Sequence, residues 1–256
     1  MREIYGLLGA AYEEVPDGAL APEVTETPTN FDSRERWGSC VHEIRDQQRC
    51  GSCWAFGASE ALSDRFCIAS NGAIDEVLSP EDMVSCDILD MGCNGGWLGN
   101  AWGYLERTGI VTDSCFPYTA GSGTAPKCAK SCSNGESFKK YKCKKGTVVT
   151  AKNPEAAKSL IYAGGPAETR FTVYEDFMSY KTGIYQYTSG KQLGGHAIKV
   201  IGFGQEDGIN YWICANSWGT SWGEEGFFRI AFGNCGIDEQ IVACTPDLSS
   251  AITFLQ

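Results

Sequence analysis

The chain has 256 residues, 43% of them apolar and 12% aromatic, enough to bury one large core or two smaller lobes. Its net charge of −11 argues against non-specific nucleic-acid binding, which needs a basic face; no run of roughly 18 apolar residues suggests a membrane-spanning helix. Thirteen cysteines point to an oxidising compartment, and their odd number leaves at least one unpaired.

Residues 1–29 differ in character from the rest. Met1-Arg2-Glu3 is followed by no apolar signal region. Glu13, Glu14, Asp17, Glu23 and Glu26, interleaved with Pro16, Pro22 and Pro28, read as an extended acidic linker.

From Val41 to about Gly109, helices and loops are expected. Cys53 follows Gly51-Ser52 and precedes Ala58, Ala61, Leu62 and Phe66 at helical spacing, which puts its thiol at a helix N-terminus. The helix dipole and the unpaired amides there favour an anion, so Cys53 should lose its proton readily and serve as a nucleophile. Gln47, six residues earlier, can add its side-chain amide to the Cys53 N–H as a second donor to a tetrahedral oxyanion. Cys50 and Cys53 also form a C-x-x-C pair, but no second such pair and no paired histidines accompany it, so neither a metal site nor a cofactor is expected. Ser79 followed by Pro80-Glu81-Asp82 opens a second helix, and Trp97 to Thr108 makes a third. Between them Cys93-Asn94-Gly95-Gly96 has little side chain, which suits either a plain turn or the close approach of another backbone.

After Val148 the period changes. One short helix fits residues 155–163, whereas Ile198–Gly204, Asn210–Ala215 and Gly226–Phe232 are short β-branched and aromatic runs bounded by glycines. The expectation is an α+β fold, with a helical lobe facing a β lobe (an antiparallel sheet or open barrel) across a cleft. His196, in Gly194-Gly195-His196-Ala197, begins a strand of the second lobe and is the candidate base for the thiol. Asn216, in Asn216-Ser217-Trp218-Gly219, can accept a hydrogen bond from one imidazole nitrogen and leave the other for sulfur. The only other histidine, His42, reads as a surface residue. Cys214 shares a strand face with Asn216 and is expected to be a buried free thiol. No Asn-x-Ser/Thr triplet occurs, so N-glycosylation is not expected.

Cys50-Gly51-Ser52-Cys53-Trp54, His196 and Asn216-Ser217-Trp218-Gly219 together resemble the papain-family cysteine peptidases, most closely the cathepsin B-like branch, and the likeness runs from Phe31-Asp32-Ser33-Arg34 through Gly236-Ile237-Asp238. The resemblance implies a helical left lobe (about 41–137) and an antiparallel, barrel-like right lobe (about 138–256 plus 30–40), with residues 1–29 as a propeptide remnant. In it, Ile4 to Ala11 would cross the cleft backwards; a disordered tail is the competing reading. The mature enzyme would begin near Pro28 to Asn30. The resemblance makes Cys53, His196, Asn216 and Gln47 catalytic and has Trp218 cover the His–Asn bond. Gly95 and Gly96 would pair with a substrate strand, while Trp97, Leu98, Arg170, Gly195, Ala197 and Gln240 would line the substrate side, Gln240 replacing the glutamate that cathepsin B has at the bottom of S2. An apolar P2 residue is then expected, with arginine disfavoured. The stretch from Asp113 through Cys132, where cathepsin B carries an occluding loop with adjacent histidines, is short and has none, which implies an endopeptidase with little dipeptidyl carboxypeptidase activity. By the same resemblance the disulfides are Cys40–Cys67, Cys50–Cys93, Cys86–Cys128 and Cys115–Cys132, with Cys143, Cys214, Cys235 and Cys244 unassigned. Implied partners are peptide and protein substrates, the chain's own propeptide and cystatin-like inhibitors. A monomer, in a lysosome or vacuole or secreted, is the family expectation. The competing reading is a catalytically silent homologue acting as a binding protein, whose usual mark, a replaced nucleophile, histidine or asparagine, is absent here.

Overall fold

The computed structural model describes residues 8–9, 19–21 and 26–251. Among them are five α-helices, α1 (Ser33–Trp37), α2 (Cys53–Ala69), α3 (Pro80–Cys86), α4 (Leu98–Arg107) and α5 (Pro154–Gly164). The strands are β1 (Ala19–Leu20), β2 (Phe31–Asp32), β3 (Val149–Ala151), β4 (Ala167–Tyr174), β5 (Ile184–Tyr185), β6 (Gln192–Glu206), β7 (Ile209–Ala215), β8 (Phe227–Ala231) and β9 (Ile241–Ala243).

Local chemistry sets several boundaries. Ser79 accepts from the Asp82 N–H at 3.1 Å ahead of Pro80, and Asn153 accepts from the Ala156 N–H at 2.9 Å ahead of Pro154, so α3 and α5 both begin with a side-chain cap and a proline. The β6–β7 hairpin turns on Asp207-Gly208, both at positive φ, as a two-residue turn matched to strand twist requires.

The helix α2 departs from the one-sided apolar stripe that its spacing predicts: every residue from Cys53 to Cys67 is buried. A helix surrounded by protein must partner its polar side chains. The Arg65 guanidinium donates to the carbonyls of Pro166, Leu160, Gly165 and Cys244, and Asp64 meets Lys199 of β6 at 2.7 Å. Gly57 lets β4 approach the helix, since a Cβ there would lie 2.7 Å from the Glu168 carboxyl.

Among the described residues the sheet has nine strands in the order β1-β3-β9-β4-β6-β7-β8-β5, with β2 also on β6. β1–β3 and β5–β8 are parallel and the other pairs antiparallel, and the path ends at β1 and β5. The expected barrel-like lobe is therefore an open, mostly antiparallel sheet. Closure is unnecessary because α2 and α5 pack on β6 and supply the apolar cover a barrel would take from its own strands. β4 and β9 were not among the anticipated strands; Glu168, Thr169 and Arg170 interrupt the apolar pattern of β4 although all three are buried.

All four disulfides implied by resemblance are present, and a fifth joins Cys143 to Cys244. Cys53, Cys214 and Cys235 are free, the first two buried, as anticipated for Cys214. The fifth bond ties the entrance of the β lobe to its last strand across a separation of 101 residues. Replacing both of its cysteines by serine should cost about 2–4 kcal/mol, because loops of this length restrict the unfolded chain most; a lowered urea midpoint with an unchanged native far-UV spectrum is the expected result.

Candidate active site

Cys53 is the first residue of α2 and is fully buried. Ser52 precedes it without a side-chain cap: its hydroxyl instead meets Cys50 O and Tyr118 OH, and while the Ala55 N–H donates to Ser52 O, the Cys53 and Trp54 amides are left for another acceptor. The backbone amides of Ala197, Gly9 and Trp54 point at the Cys53 sulfur. The thiol thus lies beside the residue that follows His196.

His196 is fully buried on β6, and its Nε2–H donates to Asn216 Oδ1 at 2.8 Å. The Asn216 oxygen is fixed in turn by the Ser217 N–H at 2.8 Å. Trp218 stacks on the imidazole at 4.7 Å between centroids, and Trp222 and Phe177 pack around Trp218. The indoles exclude water from the His–Asn bond and so strengthen it. The other nitrogen, Nδ1, is buried with no hydrogen-bond partner among the described residues.

Gln47 is also fully buried. Its Nε2–H donates to Cys50 O at 2.9 Å, its Oε1 accepts from Ser217 Oγ at 2.7 Å, and its backbone N–H donates to Ser217 O at 2.9 Å. Gln47 therefore joins the segment ahead of Cys53 to the segment after Asn216. The sequence assigns no role to Ser217, although it lies within the Asn216-Ser217-Trp218-Gly219 motif, nor to Tyr118, whose hydroxyl donates to Gln47 O and which lies in no recognisable spacing.

The glycine-rich stretch takes the second of its two sequence readings, close backbone approach. The Gly96 N–H donates to Gly9 O at 2.7 Å, and a Cβ on Gly95, at φ +113°, would lie 2.2 Å from that same oxygen. Leu8 is buried against Gly194. Leu8 and Gly9 thus cover Cys53, and the remainder of Ile4 to Ala11 lies outside the described residues.

This cover changes the expected electrostatics. Burial pushes the Cys53 thiol up to about 11 despite the amides facing it, and burial pulls His196 down to about 4 against the hydrogen bond to Asn216. The acidic thiol predicted from the helix N-terminus is not the state seen here: with solvent removed, desolvation exceeds the dipole and the pair is neutral.

Among the predicted substrate-side residues, Arg170 pairs in register with Ala197, and its Nε–H donates to Gln240 Oε1 at 3.1 Å, with Glu239 3.7 Å from Nη2. Leu98 is buried, and Trp97 and Gly195 are half-buried. The Trp97 N–H donates to Asp90 Oδ1 at 2.8 Å, so a buried carboxylate steadies the end of the glycine stretch. His42 is not the surface residue expected: its side chain is only 14% exposed, held between Asp64 and Asp75. No group of three or more His, Cys, Asp or Glu side chains suited to a metal occurs among the described residues.

The family description "Papain family cysteine protease" matches residues 27–245, and the chain belongs to that family. Within it the chain is cathepsin B-like. It is 44% identical over 233 residues to "Cathepsin B-like CP3" of Giardia intestinalis, covering 89% of this chain and 77% of that protein. It is likewise 44% identical over 252 residues to "Cathepsin B-like cysteine proteinase 4" of Caenorhabditis elegans, covering 86% and 75%. "proCathepsin B S9 from Trypanosoma congolense" shares its fold with a TM-score of 0.89 and 33% identity over 96% of this chain and 88% of that one. A digestive procathepsin L2 of Tenebrio molitor is more distant, with a TM-score of 0.78 and 26% identity over 95% of this chain and 78% of that one.

A side chain at position 9 has nowhere to go, since a Cβ there would stand 2.2 Å from Gly51 O. Gly9→Val in the full chain should lift Leu8 and Gly9 and raise the rate at which iodoacetamide labels Cys53 by about tenfold, the factor that a steric cost of one to three kcal/mol allows. Mass mapping of the labelled peptide reads it.

Proposed function

We propose that this cysteine protease is an endopeptidase working through Cys53, His196 and Asn216. Once the site is uncovered and solvated, the Cys53 thiol passes its proton to His196 Nδ1, and the thiolate attacks a peptide carbonyl. The Cys53 amide and the Gln47 side-chain amide receive the oxyanion. His196 returns the proton to the leaving amine, and water, deprotonated by the same imidazole, hydrolyses the acyl-enzyme. The observation that carries this reading is the His196–Asn216 hydrogen bond under Trp218: one ring nitrogen is fixed, while the other is buried and unpartnered on the residue next to the one whose amide meets the Cys53 sulfur.

Gly95 and Gly96 would take a substrate strand where Gly9 now bonds. On this reading residues 1–29 are an inhibitory leader, and Leu8 and Gly9 occupy substrate positions; the proform relatives support a propeptide partner. The absence of histidine between Asp113 and Cys132 favours endopeptidase over dipeptidyl carboxypeptidase activity. Arg170 and Gln240 leave no free carboxylate for a P2 arginine at that place, Glu239 being spent partly on Arg170, so an apolar P2 residue is preferred. Five disulfides suit the secretory pathway, with a lysosome, a vacuole or the extracellular space as the destination.

The test is hydrolysis of fluorogenic Phe-Arg and Arg-Arg dipeptides after removal of the leader, in mildly acidic reducing buffer. Phe-Arg should turn over at least about tenfold faster, as the loss of one ionic partner at P2 dictates. Cys53→Ala should abolish turnover, and Asn216→Ala should lower kcat by about a hundredfold. Equal rates on the two substrates would discard the P2 assignment, and wild-type inactivity would discard the protease mechanism.

A further inference from the structure

Asp64 lies on α2, eleven residues and about three turns beyond Cys53. Lys199 lies on β6, three residues beyond His196. Their side chains meet at 2.7 Å with 0% of the Asp64 and 1% of the Lys199 side chain exposed, so the helix of the nucleophile and the strand of the base are joined by a buried ion pair. Burying two charges is costly, and such a contact holds only if the remaining lone pairs are also satisfied. Asp64 Oδ2 takes Lys199; Oδ1 takes His42 twice, from its backbone N–H at 3.0 Å and at Nδ1 at 2.7 Å.

The opposite ring nitrogen, Nε2, lies 3.0 Å from Asp75 Oδ1. A carboxylate only accepts, so a ring with carboxylates at both nitrogens makes both bonds only as imidazolium. The groups facing it are Asp64 and Glu60 from α2, Asp75 from the loop beyond, and Lys199 from β6, with Glu43 and Arg45 on its own segment. Glu60 Oε1 is buried without a hydrogen-bond partner among the described residues. With Glu60 neutral, two cations (His42 and Lys199) balance two anions (Asp64 and Asp75). If Glu60 ionises and His42 loses its proton, that balance turns net negative beside the Cys53 helix.

We propose that His42 is a positioning residue for the Cys53–His196 pair: as a cation on the second oxygen of Asp64 it holds the Asp64–Lys199 contact that fixes the helix of Cys53 against the strand of His196. The proposal rests on the assignment of Cys53 and His196 as the reacting pair. The direction of titration supports it. Burial disfavours the charge on His42, but the Asp64 hydrogen bond and the nearby carboxylates outweigh burial and hold the ring above its ordinary pKa, while burial pushes Glu60 up to about 7. A raised histidine contributes fully on the acid side of its ordinary pKa and loses that contribution as pH rises through the raised value. Turnover governed by His42 should therefore have an alkaline limb that belongs to neither Cys53 nor His196.

The experiment measures kcat and KM of the enzyme after removal of its leader on the Phe-Arg dipeptide, with thermal midpoints on the same samples, for wild type, His42→Gln, His42→Lys and Lys199→Arg between about pH 5 and about pH 8, the range in which histidine changes charge. His42→Gln should lower kcat by about tenfold with KM within about twofold, the mark of misplacement rather than lost binding. His42→Lys, which keeps a permanent cation, should restore kcat to within about threefold and remove the alkaline limb, and Lys199→Arg should keep both. Unchanged kcat in His42→Gln, a fall in its thermal midpoint alone, or a wild-type alkaline limb surviving in His42→Lys overturns the proposal. If His42→Gln does not fold, the Lys variant still decides. Inactivity of wild type would instead sink the assignment of the reacting pair, and this inference with it.

Discussion

The arrangement depends on one constraint: a helix that must be buried on every side because it lies between the two halves of the molecule. α2 carries Cys53 at its end, and apart from the Trp54 amide of the same helix the groups that face the sulfur come from elsewhere in the chain. β6 brings His196 and the Ala197 amide, Leu8 and Gly9 cover the sulfur, and Gln47 ties the segment ahead of Cys53 to Ser217. Because the helix has no solvent face, its polar residues are answered individually, Arg65 by carbonyls and Asp64 by Lys199 and His42. Each answer is also a fixed distance, so partnering the helix and aligning the site are one physical event.

The neutral state of the thiol and imidazole follows from the same enclosure. The field of a helix N-terminus is worth a fraction of a kcal/mol to about 2 kcal/mol at best, whereas removing water from an ion costs several. Under Leu8 and Gly9 the second effect is larger, and Cys53 holds its proton. An exposed site reverses the balance, since water and the facing histidine together then stabilise the ion pair. The covering segment thus shields the sulfur from solvent and, by the same enclosure, keeps the thiol protonated.

Glu168 and Asp90 are further products of burial. The Glu168 carboxyl receives the Trp102 indole N–H at 2.7 Å, and burial raises it well above its ordinary value; Asp90 is pushed up by burial to about 7 while accepting from the Trp97 N–H. Each stands where a Cβ on a glycine would meet it, Glu168 at Gly57 and Asp90 at Gly96.

The site was legible in the sequence wherever chemistry is written locally. Cys53 after Gly51-Ser52, His196 after two glycines, Asn216 before Ser217-Trp218, and the cap at Ser79 each depend on neighbours within a few residues, so each can be picked out without knowledge of the fold. The α+β class was equally legible, because the hydrophobic period changes once, near Val148. Tertiary structure alone decided the rest. The sheet stays open because helices, rather than strands, cover β6. Cys143 pairs with Cys244 because 101 residues of fold bring them together. His42 is held half-buried between two carboxylates and the Cys53 thiol is raised by burial because enclosure and nearby charge are properties of what surrounds a side chain, and those surroundings come from parts of the chain too far away in sequence to be read beside it.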